Sequence, residues 1–331
     1  MAATKALIPV GIAGMGKCVP DDVLRNEDLE RMVDTSDDWI VQRTGIRERR
    51  IAKHQQTSDL ATAAARMALE DADVAPSEVD LIICATVTGD QLFPATACAV
   101  GRNLEAPQAG GFDLSAACSG YVFGMQVAAQ FVAAGTYRNV LVIGAERLSA
   151  ILDYTDRNTC VLFGDGAGAA LFTSLERAGR GEFLGGSIQM EGGNEDVLSV
   201  PAGGTKIPAS HESVDARLHY MKMGGTKVFR FAVRKFAELV QTSMAPYGYE
   251  ELGLVVPHQV NQRIIEAAAE RLELPMERFF VNIATYGNTS AASVPIAMLE
   301  ARDSGRMESG KIICTVAFGA GLMWGHALVR W

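Results

Sequence analysis

The sequence predicts an α/β fold assembled from two copies of one unit. Short apolar runs alternate throughout with Ala-rich stretches of helical period, the pattern of buried strands covered by helices. Segments of the first half recur in order in the second, at nearly constant spacing. EVDLIICATVT (78–88) matches ELGLVVPHQVN (251–261), offset 173; NVLVIGAERLS (139–149) matches KIICTVAFGAG (311–321), offset 172. FDLSAACSGYVFGMQVAA (112–129) matches VNIATYGNTSAASVPIAM (281–298), which sets Asn288 against Cys118 at an offset of 170. The 331 residues exceed a usual single domain of about 100–200, so two halves, 1–178 and 179–331, are expected.

The elements follow in order. Residues 1–16, MAATKALIPVGIAGMG, hold one lysine and no long apolar core with a cleavage site, and predict a first strand rather than a signal peptide. Buried strands are expected at 81–85, 140–144, 254–256 and 312–316. Helices are expected at 58–73, with Ser58 as N-cap and Pro76 beyond the end, and at 260–272. A third starts at Cys118 and ends near Gly135. The Gly-rich stretch 179–219 reads as an irregular excursion between the halves.

Composition narrows the function classes. A net charge of −9 disfavours nucleic acid, whose general affinity comes from neutralised phosphates. No run of 18 uncharged apolar residues occurs, so no membrane span is expected. The six cysteines are scattered without a C-x-x-C pair, which predicts neither a zinc site nor a disulfide framework and suits a reducing cytoplasm. GIAGMGKC (11–18) nearly spells a phosphate-binding loop, but Cys18 stands where Ser or Thr must reach Mg²⁺, and Val19-Pro20 follow instead of a helix.

Three residues stand out chemically. Cys118 lies after a strand at the start of a helix, where free N–H groups and the helix dipole favour a thiolate, and its neighbours Ala116, Ala117, Ser119 and Gly120 leave room for a substrate. His258 follows the apolar run LVVP at a strand's carboxyl end, where α/β folds place ligands. Asn288 sits in the turn that the repeat sets against Cys118, so thiol, imidazole and amide are expected to converge.

ACSG (117–120), PHQVN (257–261) and GNTS (287–290), in that order, resemble β-ketoacyl-ACP synthase III of the thiolase-like superfamily, as do WIVQRTGI (39–46), FGDGAG (163–168) and AFGAG (317–321). The resemblance covers nearly the whole chain. It implies a five-layer αβαβα fold with pseudo-two-fold related halves, and the condensation of an acyl-CoA primer with malonyl-ACP, without a cofactor or metal. It implies Cys118 as the acyl-carrying nucleophile, and His258 and Asn288 as donors to the enolate left by decarboxylation. The Cys118 backbone N–H, with the 319–321 loop (Gly319, Ala320, Gly321), would form the oxyanion hole. Trp39, Arg43, Arg157 and Asn261 would hold coenzyme A, and Phe318 with the partner subunit's copy of Phe93 would border the acyl pocket of a homodimer. Arg263, Arg230 and Arg234 would meet the acyl carrier protein. The stretch 221–236 holds Lys222, Lys227, Arg230, Arg234 and Lys235 and no acid, against the global charge.

Three positions depart from the family pattern. Ala320 replaces the middle of three glycines, where a Cβ costs backbone energy if φ is positive. Tyr121 stands where Phe is frequent, and Glu270 puts an acid on the carrier-facing helix. Of the rival readings, a degradative thiolase needs a second cysteine in the late Gly-rich loop, and AFGAGLMWG (317–325) has none. A non-catalytic scaffold would lack the active cysteine. A polyketide-priming relative is the alternative that the three residues leave open.

Overall fold

The computed structural model describes residues 6–192 and 197–331, with the side chains of residues 225–228 and 230 left out. Five strands form the first sheet: β1 (Val10–Cys18), β2 (Leu81–Ala85), β3 (Gly110–Leu114), β4 (Val140–Glu146) and β5 (Gly166–Ser174), in the order β1-β5-β4-β2-β3. The second sheet holds β6 (Glu182–Met190), β7 (Leu252–Pro257), β8 (Ile312–Gly319) and β9 (Met323–Arg330), in the order β7-β8-β9-β6. Placed side by side, the two orders agree strand for strand, except that β3 has no full counterpart among the described residues. In its place Phe279 makes a single parallel bridge to Val255 on the outer edge of β7.

The strands alternate because they are buried on both faces. In β4, Val140 and Val142 face the middle of the molecule, and Leu141, Ile143 and Ala145 face an outer helix. In β8, Ile313 and Ala317 point inward, and Ile312, Cys314 and Val316 outward. The middle layer is two helices, α3 (Gly120–Ala133) and α6 (Ser293–Asp303), packed between the sheets. The outer layers are α1 (Thr57–Asp71) and α2 (Thr96–Leu104) on one side and α4 (Gly225–Met244) and α5 (Gln262–Leu272) on the other. These make the five layers α, β, α, β, α. Each fully buried Val, Leu or Ile in these layers contributes roughly 1.5–3 kcal/mol.

Several expectations are adjusted. Helix α1 starts at Thr57 with Gln56, not Ser58, as N-cap, because the Asp59 carboxylate folds back to accept from the Gln56 N–H at 2.9 Å. Cys118 lies in a 3₁₀ turn, Ala117–Ser119, that leads into α3. The stretch 179–219 is not irregular throughout: its first third is β6, paired along its length with β9. Its glycines hid it. At Gly186 a Cβ would lie 2.1 Å from the His326 carbonyl, so the strand's usual side-chain pattern is interrupted there. The near phosphate-binding loop at 11–18 is β1, and its glycines serve packing: a Cβ on Gly14 would fall 2.2 Å from the Ala68 carbonyl of α1.

The matched turns also shift register. In the first half, Ala117 (φ 45°) opens the 3₁₀ turn and α3 begins at Gly120. In the second, Ser290 (φ 50°) opens the turn Ser290–Ala292 and α6 begins at Ser293. The offset at each of these landmarks is 173, so Ala291, not Asn288, occupies the place of Cys118. Asn288 lies three residues earlier, and small residues on both sides of it allowed the slipped match.

Candidate active site

The first 3₁₀ turn, the segment that carries Asn288 and the ends of β7 and β8 border one narrow cavity, with about 50 Å³ of room. Cys118, His258 and Asn288 all line it, with Phe318, Gly319, Ala320 and Gly321. Cys118 also borders a second, roomier apolar cavity of about 200 Å³, walled by Val87, Leu148, Ile151, Leu198, Val200 and Met221. The thiol thus stands where two spaces meet.

His258 is fully buried beyond the end of β7, with its backbone N–H bonded to the Val316 carbonyl. Its Nδ1 lies 2.7 Å from Ser293 Oγ, and that oxygen also accepts from the Gln259 N–H at 3.4 Å. Among the described residues Nδ1 is the one acceptor that the buried Ser293 hydroxyl reaches, so the hydroxyl donates its proton to Nδ1. The neutral ring then carries its hydrogen on Nε2, which has no protein partner among the described residues. Burial drives the ring's pKa down to about 3, so it stays neutral. Phe318 packs edge-on against the ring at 5.9 Å.

Asn288 is held by both backbone and side chain. Its N–H donates to the Leu162 carbonyl, and its own carbonyl accepts from Gly164. Its Oδ1 accepts from the Ser290 N–H at 2.8 Å, which leaves the Nδ2 donors for the cavity. Gly319 presses on the nucleophile's turn: a Cβ there would stand 2.9 Å from the Cys118 nitrogen and 3.2 Å from that of Ser119. Residue 319 must therefore be glycine. Ala320 lines both cavities, and the left-handed positions of its loop are Gly321 (φ 75°) and Leu322 (φ 47°). The Cβ at 320 therefore costs no backbone strain and only narrows the space.

The thiol itself departs from expectation. Burial pushes the Cys118 pKa up to about 12, against the pull of its Ser290 hydrogen bond, with the nearby Glu146 charge adding to the rise. Desolvation outweighs the turn's N–H groups, and the resting residue is a neutral thiol.

The remaining sequence-predicted residues fall into separate groups. Arg43 and Arg157 lie over the Trp39 ring, at 4.7 and 5.2 Å from its centroid. Ser36 caps the short helix Asp37–Thr44 that carries Trp39 and Arg43. Arg157 also bonds the Asp34 carbonyl at 2.6 Å. Asn261 caps α5, its Oδ1 accepting from the Arg263 N–H, and its Nδ2 donates to the Arg43 carbonyl, both at 2.9 Å, which ties it to the Trp39–Arg43 segment. Phe318 belongs to the His258 side, not to the second cavity. Phe93 is 83% exposed and lines neither cavity of its own chain. Arg263 and Arg234 are exposed, while the side chains of Arg230 and Lys227 lie outside the described residues. Lys235 is spent on Glu238 and the Trp324 ring. Among the described residues, no three His, Cys, Asp or Glu side chains gather to hold a metal, and no helix is long and apolar enough to cross a membrane.

Sequence reasoning passed over Ser293, Glu146 and Ser290. The trace of Glu146 was there, a lone acid closing the otherwise apolar run VLVIGAE.

The likeness to known proteins is extensive. Residues 112–192 match the family 3-Oxoacyl-[acyl-carrier-protein (ACP)] synthase III, and residues 243–331 its C-terminal part. The chain is 52% identical to a beta-ketoacyl-[acyl-carrier-protein] synthase III of Caldanaerobacter subterraneus subsp. tengcongensis, over 98% of each chain. It superposes on the crystal structure of 3-oxoacyl-[acyl-carrier-protein] synthase III from Aquifex aeolicus with a TM-score of 0.88 and 46% identity, covering 97% of this chain and 100% of that one. The priming beta-ketosynthase of the R1128 polyketide biosynthetic pathway aligns with a TM-score of 0.89 and 33% identity, over 99% and 98% of the two chains. With a buried cysteine, a neutral histidine and an asparagine on one cavity of a thiolase-like fold, the chain belongs to the β-ketoacyl-ACP synthase III family of condensing acyltransferases.

Proposed function

We propose that the enzyme starts fatty acid synthesis by condensing an acyl-CoA primer with malonyl-ACP, with CO₂ released and a 3-ketoacyl-ACP formed. The observation that carries this reading is the pair of neutral donors, His258 Nε2–H and the Asn288 amide, on the cavity that contains Cys118. Cys118 takes the acyl group as a thioester. Its backbone N–H, beside the 319–321 loop, receives the oxyanion of that transfer. Malonyl thioester then loses CO₂, and the electrons left on its oxygen meet His258 and Asn288. Neutral donors suit this step, because they stabilise the developing enolate without giving up a proton to it. The enolate carbon attacks the Cys118 thioester and frees the thiol.

The rest of the chain supplies the substrates. Trp39 with Arg43 and Arg157 offers a flat ring and two cations for the adenine and phosphates of coenzyme A. Exposed Arg263 and Arg234 offer charge to the acidic carrier protein. The roomier cavity takes the primer's acyl chain. A second copy of the chain completes the enzyme: β3 is an edge strand exposed at Gly110, Gly111 and Phe112, and Leu92 and Phe93 are 87% and 83% exposed. We take the halves to be 1–178 and 179–331, the site of action the cytoplasm, and acyl-CoA and malonyl-ACP to be substrates, with no cofactor added. The likeness to a polyketide-priming ketosynthase supports the second reading, an enzyme that primes secondary metabolism.

One experiment tests both readings. The protein is incubated with a mixture of acyl-CoAs, and the acyl group retained on Cys118 is identified by intact mass. Cys118→Ser should retain none, because an alcohol is far less ionised near neutral pH. An acyl adduct on that variant would remove Cys118 from its role. Asn288→Ala should keep the adduct and lose decarboxylation.

A further inference from the structure

Acylation of Cys118 raises a question of protons. The thiol is neutral at rest, and burial has made His258 a very weak base. Behind Cys118, away from His258, lies a third group. Glu146, the last residue of β4, is fully buried. Its Oε2 is saturated: it accepts from the Thr86 hydroxyl at 3.3 Å, the Val87 N–H at 3.2 Å, the Thr88 N–H at 3.1 Å and the Thr88 hydroxyl. Its Oε1 accepts from one hydroxyl, that of Ser290, at 3.0 Å, and weakly from Val87 at 3.4 Å. Ser290 and Cys118 both line the roomier cavity, on two turns that pack against each other, which places the Ser290 hydroxyl beside the thiol. Ser290 is held there by backbone: it sits at φ 50°, with its N–H on Asn288 Oδ1.

We propose that Glu146, acting through Ser290, is the positioning residue that receives the Cys118 proton during acylation. The Ser290 hydroxyl has one hydrogen, so it serves one neighbour at a time. With Glu146 ionised, that hydrogen points at Oε1, and the lone pairs accept the thiol S–H. As the thiol attacks, its proton passes to Ser290 Oγ, while the Ser290 hydrogen passes to Oε1. The products are a neutral Glu146 and a thiolate facing the new Ser290 O–H. The thiolate forms the carbon–sulfur bond, and the coenzyme A thiolate departs. That thiolate collects a proton and Glu146 returns one, so the charge balance is restored.

The surroundings suit this role. Burial lifts the Glu146 carboxyl to about 7, against the pull of its hydrogen bonds, so it can gain and lose a proton near neutral pH. The titratable groups near it are Cys118 across Ser290 and Cys84 on the neighbouring strand β2, which also feels Asp113 and Asp90. Arg147, next in the chain, turns its guanidinium to the Lys53 carbonyl.

The inference rests on Cys118 as nucleophile, and the test keeps the two apart. On the full-length protein, the rates of Cys118 alkylation by iodoacetamide and of acylation by an accepted acyl-CoA are followed by intact mass from pH 5 to 9. Wild type should show both rates rising around neutral pH. Glu146→Gln and Ser290→Ala should each slow both reactions about 10²-fold at neutral pH and push the rise to higher pH, with KM for the acyl-CoA unchanged. The double variant should be no slower than either single one, and Glu146→Asp should recover part of the rate. A single variant with wild-type rate and pH profile overturns the proposal, and so does a double variant whose losses multiply. Should Glu146→Gln fail to fold by circular dichroism, Ser290→Ala and Glu146→Asp decide by the same criteria. A wild type that alkylates with this profile but never acylates would remove the nucleophile reading and leave the proton path.

Discussion

Ser293→Ala offers the sharpest test of the electrostatic argument, because it changes no group that faces the cavity. Ser293 Oγ, 2.7 Å from His258 Nδ1, holds the ring in the tautomer with hydrogen on Nε2. Without that hydroxyl, Nδ1 is a buried acceptor with no donor, at a cost of about 1–3 kcal/mol. The ring escapes part of this by moving its hydrogen to Nδ1, which leaves a lone pair where the enolate oxygen needs a donor. The barrier to decarboxylation should rise by a similar amount, which is about 5- to 150-fold in rate. Acylation should hardly change, since His258 takes no part in it. The assay is CO₂ release from malonyl-ACP by the acylated enzyme, beside intact-mass measurement of acylation. Because burial holds the His258 pKa near 3, the loss should be the same from pH 6 to 8. Equal losses in both half-reactions, or a loss that titrates in this range, would refute the tautomer argument.

The other predictions touch the rest of the chain. Gly319→Ala should abolish acylation, as its Cβ would stand 2.9 Å from the Cys118 nitrogen; a variant with normal acylation would mean the loop is free to move. Arg263→Glu should raise KM for malonyl-ACP and not for the primer, and the defect should shrink with salt as exposed charges are screened beyond about 8–10 Å. A defect insensitive to ionic strength would rule out a carrier dock. Phe93→Ala should leave the fold of the single chain unchanged, since the ring is 83% exposed, yet weaken dimerisation and admit longer primers. An active, strictly monomeric enzyme would end that reading. Acid should destabilise the fold through His258: its folded pKa of about 3 lies below the ordinary 6.5, so stability present above pH 6.5 is lost as pH falls towards 3, as thermal melts would show.

Much of this was legible in the residues, and the exceptions have physical causes. Buried strands such as VLVIGAE announce themselves, because burial on both faces leaves little room for polar residues. His258 was visible because it stands at the end of such a run, and Cys118 because it stands among small residues between a strand and a helix. The slipped match of Asn288 arose where every residue is small and period gives no guide; only backbone landmarks, the left-handed Ala117 and Ser290, set the register. Strand β6 was hidden by its paired glycines, Gly186 demanded by the His326 backbone beside it and Gly185 by its own φ of 133°. The thiol's neutrality was hidden for another reason. The dipole argument is local to the turn, whereas the desolvation that outweighs it comes from both sheets. Ser293 and Glu146 act on the site from other elements, and no spacing in the sequence links them to it.

The two 3₁₀ turns touch. A Cβ on Gly120 would meet Ala291 Cβ at 3.6 Å and Ala85 Cβ at 3.0 Å, and the Ala291 carbonyl already fills the space beside Gly144. One turn carries the reactive side chain, and the matching turn forms the wall behind it. Neither can enlarge alone. Across relatives, a bulkier residue in one turn should therefore come with a smaller one in the other, the mark of two halves constrained as a single fitted pair.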